Sequence, residues 1–171
     1  MTNDPLTLYK LIVLYMLDRV TFPLTKAQVG DFVLEREYTT FLTLQQAISE
    51  LIDADMVKAK SIRNRTHLEI TPEGKQTLDF FSNRISTRIK EEIDDYFKEN
   101  SLKLKNEVSV ISNYYRSTSG EYEANLIIKE KDINLVNLTM SVPTEALAAT
   151  VCEKWENASQ DIYKSLVEKL F

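Results

Sequence analysis

Residues 56–62 and 66–70 alternate apolar with polar side chains, whereas the chain on either side of them repeats its apolar positions every three or four residues. A drop to period two between stretches of helical period specifies a β-hairpin set among helices. Its tip, Arg63-Asn64-Arg65, is basic, and no acid lies between Lys58 and Thr66.

The flanking helices follow from the same periodicity. Leu8, Leu11, Ile12, Tyr15 and Met16 define a first helix to about Arg19, with one face buried. Phe22-Pro23-Leu24 breaks it, and Thr25-Lys26-Ala27-Gln28 forms a capping box that opens a second helix with Val29, Phe32 and Val33 inward. Glu35-Arg36-Glu37 is a turn, and Thr39 or Thr40 caps a third helix that ends near Ala54. This helix is expected to bury Phe41, Leu44, Ile48, Leu51 and Ile52. Its opposite face then presents Thr39, Thr40, Thr43, Gln46, Ala47 and Glu50, with Gln45 and Ser49 at the margin. After the hairpin, Thr71-Pro72-Glu73-Gly74 starts a fourth helix: the threonine caps it, the proline occupies the first position, and Leu78 and Phe81 return to the core.

The C-terminal half is read in the same way. Only three glycines and four prolines occur in the 171 residues, so two domains must be joined by regular structure and not by a flexible tether. Ile85, Ile89, Ile93, Tyr96 and Phe97 give residues 83–106 the pattern of an amphipathic connector helix. Strands follow over residues 107–116, around Tyr122, Ala124, Leu126 and Ile128, and around Val136, Leu138, Met140 and Val142, with loops short enough for an antiparallel meander. Pro143 ends the last strand. Thr144 caps a final helix in which Leu147, Ala148, Val151, Trp155, Ala158, Ile162, Leu166 and Leu170 recur at helical spacing.

The expected fold is therefore α+β. It has an N-terminal domain over residues 1–82, a connector over 83–106, and a C-terminal domain over 107–171 in which one helix covers a three-stranded antiparallel sheet. The other face of that sheet is expected to meet the connector, a second subunit or a ligand.

Charge and composition narrow the function. A net charge of -5 argues against a histone-like binder that neutralises phosphates over its whole surface. Residues 1–82 carry nine basic and eleven acidic side chains and residues 107–171 six and ten, so the excess acid lies at the C-terminal end. The apolar run over residues 11–17 is too short to cross a bilayer and the N-terminus has no basic leader, so a cytoplasmic protein without a membrane partner is expected.

Cys152 and His67, the only cysteine and histidine, make neither a disulfide framework nor a zinc site by themselves. His67 on a strand is expected to be a surface or packing residue, and Cys152 on an apolar helical stretch a small core residue. The sequon Asn157-Ala158-Ser159 is read as chance. No glycine-rich phosphate loop, serine–histidine pair or metal-ligand cluster is present, so no enzyme and no cofactor or metal is expected.

The order helix, helix, helix, hairpin, helix over residues 8–81, closed by Ile70-Thr71-Pro72-Glu73-Gly74-Lys75 and Leu78, resembles a winged helix-turn-helix domain of the bacterial transcription-regulator type. The whole chain also resembles an uncharacterised bacterial winged-helix family with a C-terminal α+β domain. The first resemblance implies a regulator that binds double-stranded DNA as a homodimer, with a small-molecule effector as a further partner.

It also implies that the third helix enters the major groove. Thr39 and Thr40 are placed to donate to phosphates, Thr43 is a further DNA-binding candidate on the same face, and Gln45 or Gln46 is placed to meet an adenine edge. Lys58, Lys60, Arg63, Asn64 and Arg65 form a basic wing on the backbone or minor groove. The alternative is a winged-helix module that binds protein and not DNA, for which an acidic or apolar surface at the start of the third helix would be the mark.

Overall fold

Threonine side chains cap four helices of this protein in the computed structural model, which describes residues 4–62, 64–130 and 132–171. Helix α1 spans Pro5–Asp18 and is capped by Asp4. A two-residue strand β1, Leu24–Thr25, leads into α2, Lys26–Glu35. The expected capping box is complete there: Gln28 N–H donates to Thr25 Oγ1 at 3.0 Å, and Thr25 N–H donates to Gln28 Oε1 at 3.0 Å. Helix α3, Phe41–Asp53, is capped by Thr40. Strands β2, Val57–Ile62, and β3, Arg65–Ile70, form the hairpin, and α4, Pro72–Phe81, starts at the Thr71 cap.

The chain divides into two units, Met1–Lys105 and Asn106–Phe171. In the first, every residue of α1 from Leu11 to Leu17 is buried. A helix that is apolar all round belongs at the centre of its unit, and α1 is surrounded by Val29, Phe32, Val33, Leu44, Ile48, Leu51, Val57, Leu68 and Leu78. Strand β1 is not evident in the sequence. It pairs antiparallel with β3, Leu24 opposite Leu68 and Thr25 opposite His67, and gives the sheet the order β1-β3-β2.

A short 3-10 turn, Ser82–Arg84, leads to α5, Thr87–Ser109. The stretch expected to be a connector gives Ile85, Ile93, Phe97 and Leu104 to the core of the first unit. Asp94 on α5 accepts from Tyr15 Oη at 3.0 Å and from Arg19 Nε at 3.0 Å and Nη2 at 3.2 Å, a two-pronged clamp onto α1. Burial, reinforced by Asp94, raises the Tyr15 phenol above its ordinary value of 10.0. Tyr38 donates to Glu92, which also draws Arg88 to 3.2 Å.

The second unit is a meander. Strands β4, Val110–Arg116, β5, Tyr122–Glu130, and β6, Ile133–Val142, pair antiparallel in that order, with an irregularity between Ile128 and Lys129. Helix α6, Glu145–Leu170, is capped by Thr144 and packs Trp155 against Leu126, Ile128 and Val136. Trp155 Nε1–H also donates to the Ile127 carbonyl at 3.3 Å. The helix α5 runs to Ser109, so the first strand begins three residues later than residue 107.

Register also explains the sheet face away from α6. Asn113, Asn125 and Thr139 lie in one row across it. Asn125 Nδ2–H donates to Asn137 Oδ1 at 2.7 Å and Tyr115 Oη–H to Glu123 Oε2 at 2.6 Å. Most of this face is polar and internally hydrogen-bonded, with Ile111 and Ile127 half-buried among the polar residues.

Candidate functional site

Thr40, expected as a phosphate donor at the start of α3, and Thr43, expected on the same DNA-binding face, are engaged with each other. Thr40 Oγ1 accepts from the Thr43 N–H at 3.4 Å and donates to Thr43 Oγ1 at 3.0 Å. Thr39 precedes the cap and is half-buried. Gln46 is exposed and Gln45 half-exposed. Ala47, expected on the open face, is fully buried beside Leu44, Ile48 and Leu51. The buried arc is wider than a strict stripe, and a small residue lies where α3 meets the rest of the core.

Phe41 departs from expectation in the other direction. It lies on the helical period of Leu44 and Ile48, yet 60% of it is exposed, and its neighbour Leu42 is 78% exposed. Periodicity reports the direction of a side chain and not how far the neighbouring elements reach. At the first position of α3 the direction is inward, but the packed surface has ended.

Acids on α3 are arranged unevenly. Glu50 is half-buried, with Oε2 3.4 Å from Lys10 Nζ on α1. That oxygen is closed to solvent and accepts no hydrogen bond, so the pair is an electrostatic approach without hydrogen-bond alignment. Asp53 remains exposed at the far end of the helix. The open surface of α3 is thus made by Phe41, Leu42, Gln45, Gln46, Ser49 and Asp53.

The hairpin concentrates its cations by parity. In the observed register Lys58 lies opposite Glu69, Lys60 opposite His67, and Ile62 opposite Arg65. Directly opposed residues share a face of an antiparallel pair, so Lys58, Lys60 and Arg65 lie together on one face. Val57, Ala59, Ser61, Thr66, Leu68 and Ile70 lie on the other, which carries Val57 and Leu68 into the core.

Lys58 and Arg65 are both exposed. Glu69 lies directly across from Lys58, a pairing hidden in the sequence because it follows only once the turn length is known. His67 is buried, with 6% exposed, in keeping with a packing role. Asn64 turns the hairpin with φ 65°, a left-handed conformation that asparagine tolerates. Its first duty is therefore to the backbone. Arg63 lies outside the described residues.

The structure thus gathers Lys58, Lys60 and Arg65 on one face of the hairpin, and Thr40 with Thr43 at the cap of α3, all within the first unit. Among the described residues no group of three or more histidine, cysteine, aspartate or glutamate side chains is arranged to hold a metal ion, and no helix is long and apolar enough to cross a membrane.

A family model described as "Domain of unknown function (DUF4364)" matches residues 9–170, and the chain belongs to that family. No curated protein and no solved structure matches it.

Proposed function

We propose that this member of the DUF4364 family is a dimeric, cytoplasmic transcriptional regulator that binds double-stranded DNA and has no enzymatic activity. Its first unit is a winged helix-turn-helix in this reading, with α3 as the recognition helix and the β2–β3 hairpin as the wing. The observation that carries it is the single basic face made by Lys58, Lys60 and Arg65 on a hairpin that follows three helices. Three cations at alternate positions of a ribbon match a line of phosphates, and the exposed Gln46 supplies an amide of the kind that pairs with adenine.

The test is a fluorescence-anisotropy titration against a pool of random duplexes at low and moderate salt. Binding is expected to weaken with salt. Replacing Lys60 and Arg65 with alanine should weaken it for every duplex and lower the slope of log affinity against log salt by about 0.9 for each phosphate no longer neutralised. Gln46→Ala should change sequence preference and leave that slope alone. Unchanged affinity of the double variant at every salt concentration would overturn the wing assignment.

A second reading is favoured by a different observation. Phe41 and Leu42 put an apolar patch, and no cation, at the start of α3, where a protein partner would dock on a winged helix that does not bind DNA. No binding to duplexes even at low salt would select that reading.

A further inference from the structure

We propose that β6 is the seam of a homodimer, in which the same strand of a second copy pairs with it antiparallel about a two-fold axis and extends the sheet from three strands to six.

Strand β6 is an edge, hydrogen-bonded on one side only, to β5. Edge strands in monomers are commonly short or broken by charge or proline. This one has ten residues, Ile133–Val142, and among them no charged residue and no proline. It also exposes Ile133 at 66%, Leu135 at 40% and Met140 at 49%. Strand β4, the other edge, has seven residues, ends on Arg116, and is engaged by α6.

Two hydrogen bonds fix how α6 lies over the sheet. Ser112 Oγ–H on β4 donates to the Cys152 carbonyl at 3.2 Å, and Tyr114 Oη–H on β4 donates to Glu145 Oε1 at 3.5 Å. Glu145 and Cys152 are seven apart and share a margin of the helix, so that margin lies above β4. The opposite margin, carrying Leu147, Ala158 and Ile162, then lies toward β6. Leu147 and Ile162 on it are 42% and 37% exposed. An apolar strip therefore runs beside an unpaired, uncharged strand.

The sequence of β6 is suited to pair with itself. An antiparallel register centred on Leu138 sets Val136 of one copy opposite Met140 of the other, Asn137 opposite Thr139, and Leu138 opposite Leu138. Val136, Leu138 and Met140 then meet on the α6 side and Asn137 and Thr139 on the other, with no like charges juxtaposed. A C2 interface must be self-complementary in this sense, and the apolar strip supplies further area for the second copy to cover.

This inference deepens the regulator reading and rests on it for its purpose, since paired half-sites call for two linked copies. Its test is independent of DNA. Sedimentation equilibrium of the full chain without nucleic acid should give a dimer. The pair Asn137→Lys and Thr139→Lys, at exposed positions, should raise the dissociation constant by about tenfold or more, with circular dichroism unchanged.

Hydrogen exchange on the unaltered chain guards against a misfolded variant. Peptides covering residues 133–142 should gain protection as concentration rises through the dimer dissociation constant, while those covering residues 110–116 should not. A monomer at all concentrations, or concentration-dependent protection at residues 110–116 alone, overturns the proposal. A dimer of this kind that ignores DNA would overturn the regulator reading and leave the seam standing; DNA binding by a monomer would overturn the seam and the dimeric form of the regulator and leave its DNA binding standing.

Discussion

The two units of this chain bury their apolar residues in different ways. In the first, Leu11, Ile12, Val13, Leu14, Phe32, Leu44, Ile48, Leu51 and Leu68 are all essentially closed to solvent, and many elements share the interior. In the second, the cluster under α6 consists of Leu126, Ile128, Val136 and Trp155, with Val110, Leu138, Val151, Cys152, Tyr163 and Leu166 only partly covered. Stability in the first unit is distributed. In the second it is concentrated on one indole, and the strip beside β6 is left open to be covered by something else.

The largest expected effect follows from that concentration. A unit the size of the second has roughly 3–10 kcal/mol of stability in all, and truncating a buried tryptophan costs ~3–5 kcal/mol. Trp155→Ala should therefore unfold much of the second unit and leave the first intact. Hydrogen exchange would show fast exchange across residues 106–171 with protection retained in α1 and α3. Leu44→Ala, at a comparable ~2–5 kcal/mol, should lower the stability of the first unit without abolishing it. Simultaneous loss of protection in both units after Trp155→Ala would break the comparison.

Two glycines sharpen it with a smaller effect. A Cβ on Gly74 would land well inside van der Waals distance of the Met56 carbonyl oxygen and 3.0 Å from Ile70 Cγ1. The obstacle is backbone, which cannot swing aside, so Gly74→Ala should cost about 3 kcal/mol, the upper part of the range for overpacking. Gly120 turns the β4–β5 loop at φ +92° with nothing within 4 Å. There the penalty is conformational alone, roughly 1–2 kcal/mol. Urea denaturation of the two variants should rank them in that order; equal costs would mean the first unit yields around Met56 as readily as an open loop.

Much of the architecture is legible in the sequence because the residues that start these helices carry a visible signal. The oxygens of Thr25, Thr40, Thr71 and Thr144 stand where backbone N–H groups need an acceptor, and Gln28 three residues after Thr25 completes the first capping box. The hairpin is legible from alternation, and with its register the common face of Lys58, Lys60 and Arg65 follows. Strand β1 is not legible, because two residues carry no period and their pairing with His67 and Leu68 is a tertiary interaction. The exposure of Phe41 is hidden for a related reason: it depends on where neighbouring elements stop. Helix ends are the least visible, since α2 and α3 both end without glycine.

That last feature carries the smallest prediction. After α3, Asp55 N–H donates to the Ile52 carbonyl at 3.1 Å and Met56 N–H to the Leu51 carbonyl at 3.0 Å. After α2, Glu37 N–H donates to the Leu34 carbonyl at 3.0 Å and Tyr38 N–H to the Val33 carbonyl at 3.1 Å. Both are Schellman closures, which place the first residue past the cap in the left-handed region and usually put glycine there. Here the residues are Asp55 at φ 58° and Glu37 at φ 56°. Relieving the Cβ strain outweighs the added freedom of glycine in the unfolded chain, so Asp55→Gly and Glu37→Gly should each stabilise the first unit by ~0.5–1 kcal/mol. The Asp55 carbonyl that accepts from Thr71 Oγ1–H at 2.6 Å is backbone and survives the change. Thermal unfolding should show a rise of a few degrees for each variant. A fall instead would mean that the carboxylates stabilise the helix ends by more than their left-handed backbone costs. The same kind of conformation thus predicts opposite signs in the two units: glycine gained at residues 37 and 55 stabilises, whereas glycine lost at residue 120 destabilises.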